Sequence, residues 1–132
     1  MIPATSPQTI LVVDECDGIC ELIHILLCRV GYHVVTATNG TEALRLAGRI
    51  PEIDLLICNI DIPGLRGDEV AARFTVRHPS APVVFLASFA DPFSSTEPHE
   101  ILVKPFTVAQ LRETVRHALR THPALAEVAA AA

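Results

Sequence analysis

The side chains with chemical potential stand at the ends of apolar runs. Asp14 and Glu15 close the run Thr9 to Val13, Asn59 and Asp61 follow Asp54 to Cys58, and Lys104, the only lysine in the chain, follows Ile101 to Val103. Carboxylates, an amide and one amine offer ion pairing and charge compensation. An acidic pair at the end of a strand also suits the N-terminus of the next helix, where negative charge is favoured. One of the two roles open to Lys104 is an ion pair with Asp14 or Glu15, because an uncompensated carboxylate cluster costs free energy. Asn59 reads as a hydrogen-bonding amide in a polar pocket, and Asp61 as an exposed loop aspartate. No nucleophile stands with a base at these positions, so an ordinary enzyme is not expected. Cys16, Cys20, Cys28 and Cys58 lie in or beside apolar segments without CxxC spacing, and are expected as buried or half-buried free thiols. The six histidines are scattered, none with a nearby carboxylate partner in sequence that suggests catalysis or phosphotransfer, and read as ordinary surface or helix residues.

Periodicity shows which elements must hold these groups. Thr9 to Val13 is a short β-branched run, hence a buried strand. Ile19, Ile23, Leu26, Leu27 and Val30 recur at helical spacing, with Asp17 as cap candidate and Gly31 as stop. His33 to Ala37 reads as a second strand, and a short helix carrying Ala43, Leu44 and Ala47 follows the Asn39-Gly40 signal. Asp54 to Cys58 is a third strand, Asp68 to Arg77 a third helix, Val83 to Ala87 a fourth strand and Ile101 to Val103 a fifth. The stretch from Phe89 to Glu100, with Pro92 and Pro98, reads as loop with at most one helical turn. Val108, Leu111, Val115, Ala118 and Leu119 mark a last amphipathic helix. Residues 1–7 are expected to be a tail, 8–121 the domain, and 122–132 an alanine-rich tail.

Continuous apolar strands alternating with amphipathic helices imply an α/β fold, a parallel sheet with helices on both faces. Its crevice lies outside the carboxyl ends of the strands, which singles out Asp14, Glu15, Asn59, Asp61, Ala87, Ser88 and Lys104. The 132 residues suit one domain, since domains cluster near about 100–150 residues. Half the residues are apolar and 19% charged, with mean hydropathy +0.40, enough to bury a core. The formal charge of −5 argues against a phosphate-tracking, nucleic-acid-binding surface. No apolar run is long enough to cross a membrane and no leader pattern opens the chain, so a cytoplasmic location is expected.

The runs Ile10-Leu11-Val12-Val13-Asp14-Glu15, Gly31-Tyr32, Asn39-Gly40-Thr41-Glu42-Ala43-Leu44, Pro63-Gly64-Leu65-Arg66-Gly67 and Lys104-Pro105-Phe106 resemble the receiver domain of two-component response regulators, from about residue 8 to 120. The resemblance implies a flavodoxin-like sheet of order 2-1-3-4-5 and a cis peptide between Lys104 and Pro105. It also implies a site in which an acidic pair holds Mg²⁺, an aspartate accepts a phosphoryl group, and a Ser/Thr and a lysine, here Lys104 as a switch position, bind that group. This chain departs from the pattern. Asn59 stands at the acceptor position, and an amide cannot form an acyl phosphate. Ala87 stands where the Ser/Thr hydroxyl belongs, and Ser88 beside it faces the other way along a strand. Ile101 replaces the aromatic switch residue. The acidic pair survives as Asp14-Glu15, the Mg²⁺ candidates, though Glu reaches one methylene further than the usual Asp. The segment between the fourth strand and Lys104 is short, so the helix usual there is expected to be short or missing.

The expectation is therefore a stand-alone, atypical receiver of a phosphorelay pathway that acts by protein–protein interaction. Partners would be a sensor histidine kinase, another signalling protein or a second copy of itself, with no nucleic acid and no membrane. The alternative is a working phosphorelay element in which Asp61 or Asp14 accepts phosphate with Mg²⁺. Asp61 lies about 7 Å along the strand direction from Asn59, too far to replace that carboxylate unaided. A flavin or nucleotide binder is the weakest reading, because Glu15-Cys16-Asp17-Gly18 is acidic where a phosphate loop would be glycine-rich.

Overall fold

A computed structural model describes residues 7–88 and 100–121. Residues 1–6 and 122–132, on which the expected tails fall, and the segment 89–99, on which a short or missing helix is expected, lie outside the described residues. Five strands, β1 (Thr9–Val13), β2 (His33–Ala37), β3 (Leu55–Asn59), β4 (Val83–Ser88) and β5 (Glu100–Lys104), form one parallel sheet of order β2-β1-β3-β4-β5. The described helices are α1 (Asp17–Cys28), α2 (Gly40–Arg49), α3 (Gly67–Arg77) and α4 (Val108–Thr121).

The continuous apolar strands have the burial expected of a sheet covered on both faces. Alternate residues feed two cores. Leu11, Val13, Leu56, Cys58, Phe85 and Ala87 pack with Ala43, Ala47, Val70 and Phe74 of α2 and α3. Ile10, Val12, Leu55, Ile57, Val84 and Leu86 pack with Ile23 and Leu27 of α1 and Leu111 and Val115 of α4. The apolar stripes read from the sequence are therefore the buried faces of the helices.

The helix boundaries show local chemistry at work. Asn39 caps α2, its side chain accepting the Glu42 amide at 2.8 Å, and Gly40 begins the helix where a Cβ would lie 2.8 Å from Val70. Gly31 takes φ +99 just after α1, as its stop role requires. The expected cap at Asp17 is corrected. The N-cap of α1 is Cys16, whose side chain makes no cap bond, and Asp17 falls in the first turn, where its carboxylate still suits the positive helix end; Asp14 Oδ1 accepts the Cys16 amide at 2.9 Å.

Three strands run slightly differently from expectation. β3 extends to include Asn59, while Asp54 stands before it and accepts the Thr9 amide at 2.7 Å. β4 and β5 lengthen because Ser88 pairs with Lys104 and Val84 with Glu100. Cys20 and Cys58 are buried, but Cys16 and Cys28 are exposed, which corrects the expectation for those two thiols: each lies at an end of α1, off its inward face. His78 is not on the surface either. It is buried, stacks on Phe74 with ring centroids 4.9 Å apart, and donates from Nε2 to the Ala47 carbonyl at 2.8 Å.

Candidate functional site

The carboxyl ends of β1, β3, β4 and β5 bring the expected residues to one edge of the sheet. Asp14 directly follows β1, its amide donating to the Ala37 carbonyl at 3.1 Å. Its side chain is 1% exposed, and Oδ2 lies 2.6 Å from Lys104 Nζ. With Oδ1 held by the Cys16 amide, both carboxylate oxygens are engaged. The Cys20 thiol donates to the Asp14 carbonyl at 3.3 Å, so the backbone of this residue is fastened as well. The Lys104–Pro105 peptide, where the chain leaves β5, is cis, as the resemblance implied.

The two members of the acidic pair differ in burial. Asp14 is fully buried and Glu15 is exposed, as consecutive residues leaving a strand in opposite directions must be. Among the described residues no group of three His, Cys, Asp or Glu is placed to hold a metal ion. Mg²⁺ prefers carboxylate and water oxygens in a near-octahedral set. A cation at this edge would meet Asp14 with Lys104 Nζ already 2.6 Å from its Oδ2, and would have to displace that pair.

Asn59, the last residue of β3, is 7% exposed, and its Oδ1 accepts the Asp61 amide at 3.3 Å. The amide therefore organises its own loop, while the Asp61 side chain is exposed, as expected for a loop aspartate. Ala87 is buried in the core under α2 and α3, and Ser88 beside it is exposed, so the hydroxyl does not take Ala87's place. Ile101 pairs with Phe85 and is 38% exposed on β5.

Two buried thiols flank this edge. Burial pushes the Cys20 thiol up to about 11 and the Cys58 thiol up to about 12, the latter with a further upward push from Asp14. Both are inert sulfhydryls, not nucleophiles.

Gly67, which the sequence pattern alone does not single out, has a steric role. A Cβ there would lie 2.2 Å from the Asn59 carbonyl oxygen, and the Gly67 amide donates to the Ile60 carbonyl at 3.0 Å. Only glycine lets α3 begin against the end of β3. His117 was likewise read as unpartnered, yet Nδ1 donates to Glu100 at the start of β5. That contact links residues far apart in sequence and has no local signature.

The fold and this edge belong to a known class. The response regulator receiver domain family matches residues 10–116, and the chain belongs to that family. The chain is 31% identical over 118 residues to the alkaline phosphatase synthesis transcriptional regulatory protein PhoP of Bacillus subtilis, covering 86% of this chain and 49% of that protein. It is 27% identical over 114 residues to sporulation initiation phosphotransferase F of the same organism, covering 83% of this chain and 91% of that protein. The signal receiver domain of an HD domain-containing protein from Pseudomonas fluorescens superposes with TM-score 0.81 at 27% identity, over 96% of this chain and 97% of that one. The chain spans about half the length of the first curated relatives it matches. Among the described residues, no helix is long and apolar enough to cross a membrane.

Proposed function

We propose that this receiver domain works in two-component signal transduction by binding partner proteins, without being phosphorylated in the ordinary way. The observation that carries the reading is Asn59: it ends β3 beside an Asp14 carboxylate already neutralised by Lys104. Forming an acyl phosphate takes a carboxylate nucleophile, and the charge that develops on transfer is met by cations positioned at the site. Asn59 lacks the first property, and Lys104, engaged with Asp14, is not free to supply the second. Ala87 adds no donor. The partners this reading implies are a sensor histidine kinase, another signalling protein or a second copy of the chain, acting in the cytoplasm.

The test is intact mass after incubation with acetyl phosphate and Mg²⁺, followed by peptide mapping. The expected result is no stoichiometric adduct. An acid-stable, base-labile adduct would overturn the reading. Mapped to Asp61, it would identify the exposed carboxylate as the acceptor. Mapped to Asp14, it would mean that the Lys104 pair opens.

A further inference from the structure

The outer face of α1 carries two metal-ligating groups set side by side. His24 and Cys28 are both exposed and stand one turn apart, so their side chains lie over one another on that face. His24 Nε2 is 3.7 Å from Cys28 Sγ. Neither residue takes part in the Asp14–Lys104 edge, so the chemistry open to this pair does not depend on Asn59.

The separation is that of two donors on one ion. Zinc bonds of about 2.3 Å to sulfur and about 2.0 Å to an imidazole nitrogen, at the tetrahedral angle, set the two donors about 3.5 Å apart. A small side-chain adjustment therefore seats one ion on both groups, with the helix backbone left as it is. As a hydrogen bond between exposed groups the same contact adds little to a helix already fixed by Cys20, Ile23, Leu26 and Leu27 on its inner face.

One chain offers half a site. Among the described residues no third His, Cys, Asp or Glu joins the pair, whereas a closed zinc site takes four ligands. Two copies of the same face supply two sulfurs and two nitrogens about a two-fold axis through the ion, the self-complementary arrangement of most homodimers. A tetrahedral ion holds its two ligand pairs in perpendicular planes, so the two α1 helices would cross near a right angle. Ile25, which lies between the ligands in the chain and is 42% exposed, would meet its counterpart beside the ion. Helices crossing this steeply touch over a small area, so the ion and not the apolar contact decides association.

We propose that His24 and Cys28 form half of a zinc site that a second copy of this chain completes, giving a zinc-dependent dimer. On assembly each thiol gives its proton to solvent, each sulfur and each Nε2 donates a lone pair to the ion, and the ion sheds the water it carried. Two thiolates and two neutral imidazoles balance the double positive charge, so the closed site is neutral.

The test is the mass of the full chain in solution, by light scattering, as zinc chloride is titrated into reduced, metal-free protein up to a few equivalents. The mass should double at one ion per two chains and return to the monomer with EDTA. Co²⁺ in place of zinc should give the visible bands of a tetrahedral ion together with thiolate charge transfer. His24→Ala and Cys28→Ser should each lose the doubling, because each removes two of the four ligands, and both sites are exposed, so the fold should survive. Cys16→Ser, at the other exposed thiol, should retain it. A monomer at every zinc concentration, one ion per chain without doubling, or an octahedral cobalt spectrum would overturn the proposal. So would a zinc-dependent dimer that persists in both ligand variants, or a dimer reversed by reductant and not by EDTA, which would be a Cys28 disulfide.

Discussion

Lys104 Nζ and Asp14 Oδ2 lie 2.6 Å apart although ninety residues separate them in the chain. β3 and β4 lie between β1 and β5 in the sheet, so this ion pair runs across the carboxyl ends of both inner strands. It closes the edge at which Asn59 and Ser88 end their strands.

Removing one partner should therefore leave a buried charge alone. Asp14 is 1% exposed and Lys104 24%, so Lys104→Met should lower unfolding stability by about 3 kcal/mol in urea titrations. The double change with Asp14→Asn should recover much of that loss, because neither charge then remains. Equal stability of the single variant and the parent would mean that the pair contributes nothing.

Gly67→Ala should be among the most damaging small substitutions in the domain. The new methyl would meet backbone at 2.2 Å, which neither a rotamer change nor a side-chain shift relieves. A loss of about 3 kcal/mol is expected, at the upper end for overpacking. Gly64→Ala provides the contrast, since there the obstacle is φ +85 and not contact. A Gly67→Ala variant as stable as the parent would show that β3 and α3 can separate without cost.

Thiol chemistry should divide the cysteines into two pairs. Cys16 and Cys28 should react with a disulfide reagent in the native protein, and Cys20 and Cys58 only on unfolding. Burial raises the Cys20 thiol from 9.0 to about 11, so the folded state favours its protonated form. That contribution is fully present below pH 9 and is lost as the pH rises from 9 towards 11. Stability should fall over this window, and Cys20→Ala should flatten the fall. Four equally fast thiols would contradict the burial of two of them.

Asn59→Asp alone should not give efficient phosphorylation by acetyl phosphate. It returns a carboxylate to the end of β3, but Ala87 still offers no hydroxyl, Ile101 no aromatic switch, and Lys104 remains held by Asp14. Intact mass distinguishes the outcomes. Stoichiometric modification of the single variant would show that the acceptor carboxylate was the one missing part.

Much of the fold was legible because the strands carry their own signature. Thr9 to Val13 and His33 to Ala37 are β-branched runs whose limits match the observed strands residue for residue. α4 keeps one apolar stripe, so Leu111 and Val115 could be assigned to the core before any contact was known. The crevice rule for parallel sheets then selected the right edge. Boundaries slipped where the deciding partner was remote: β3 took in Asn59, and β5 reached Glu100 and Lys104 through pairing with β4. The Asp17 cap missed by one residue, because α1 already begins at Asp17 with Cys16 as its N-cap.

The sequence by itself determined the alternation of elements, the identity of the groups at the sheet edge and the absence of a carboxylate at Asn59. These follow from side-chain chemistry and from periods of two and 3.6 residues, which are local properties. Only the tertiary structure decided that Lys104 chooses Asp14 over Glu15, that Glu15 is exposed, and that Gly67 fits against the Asn59 carbonyl. Each of those depends on where strands and helices distant in the chain come to lie. A one-dimensional pattern states which groups exist, and close packing alone settles which of them meet.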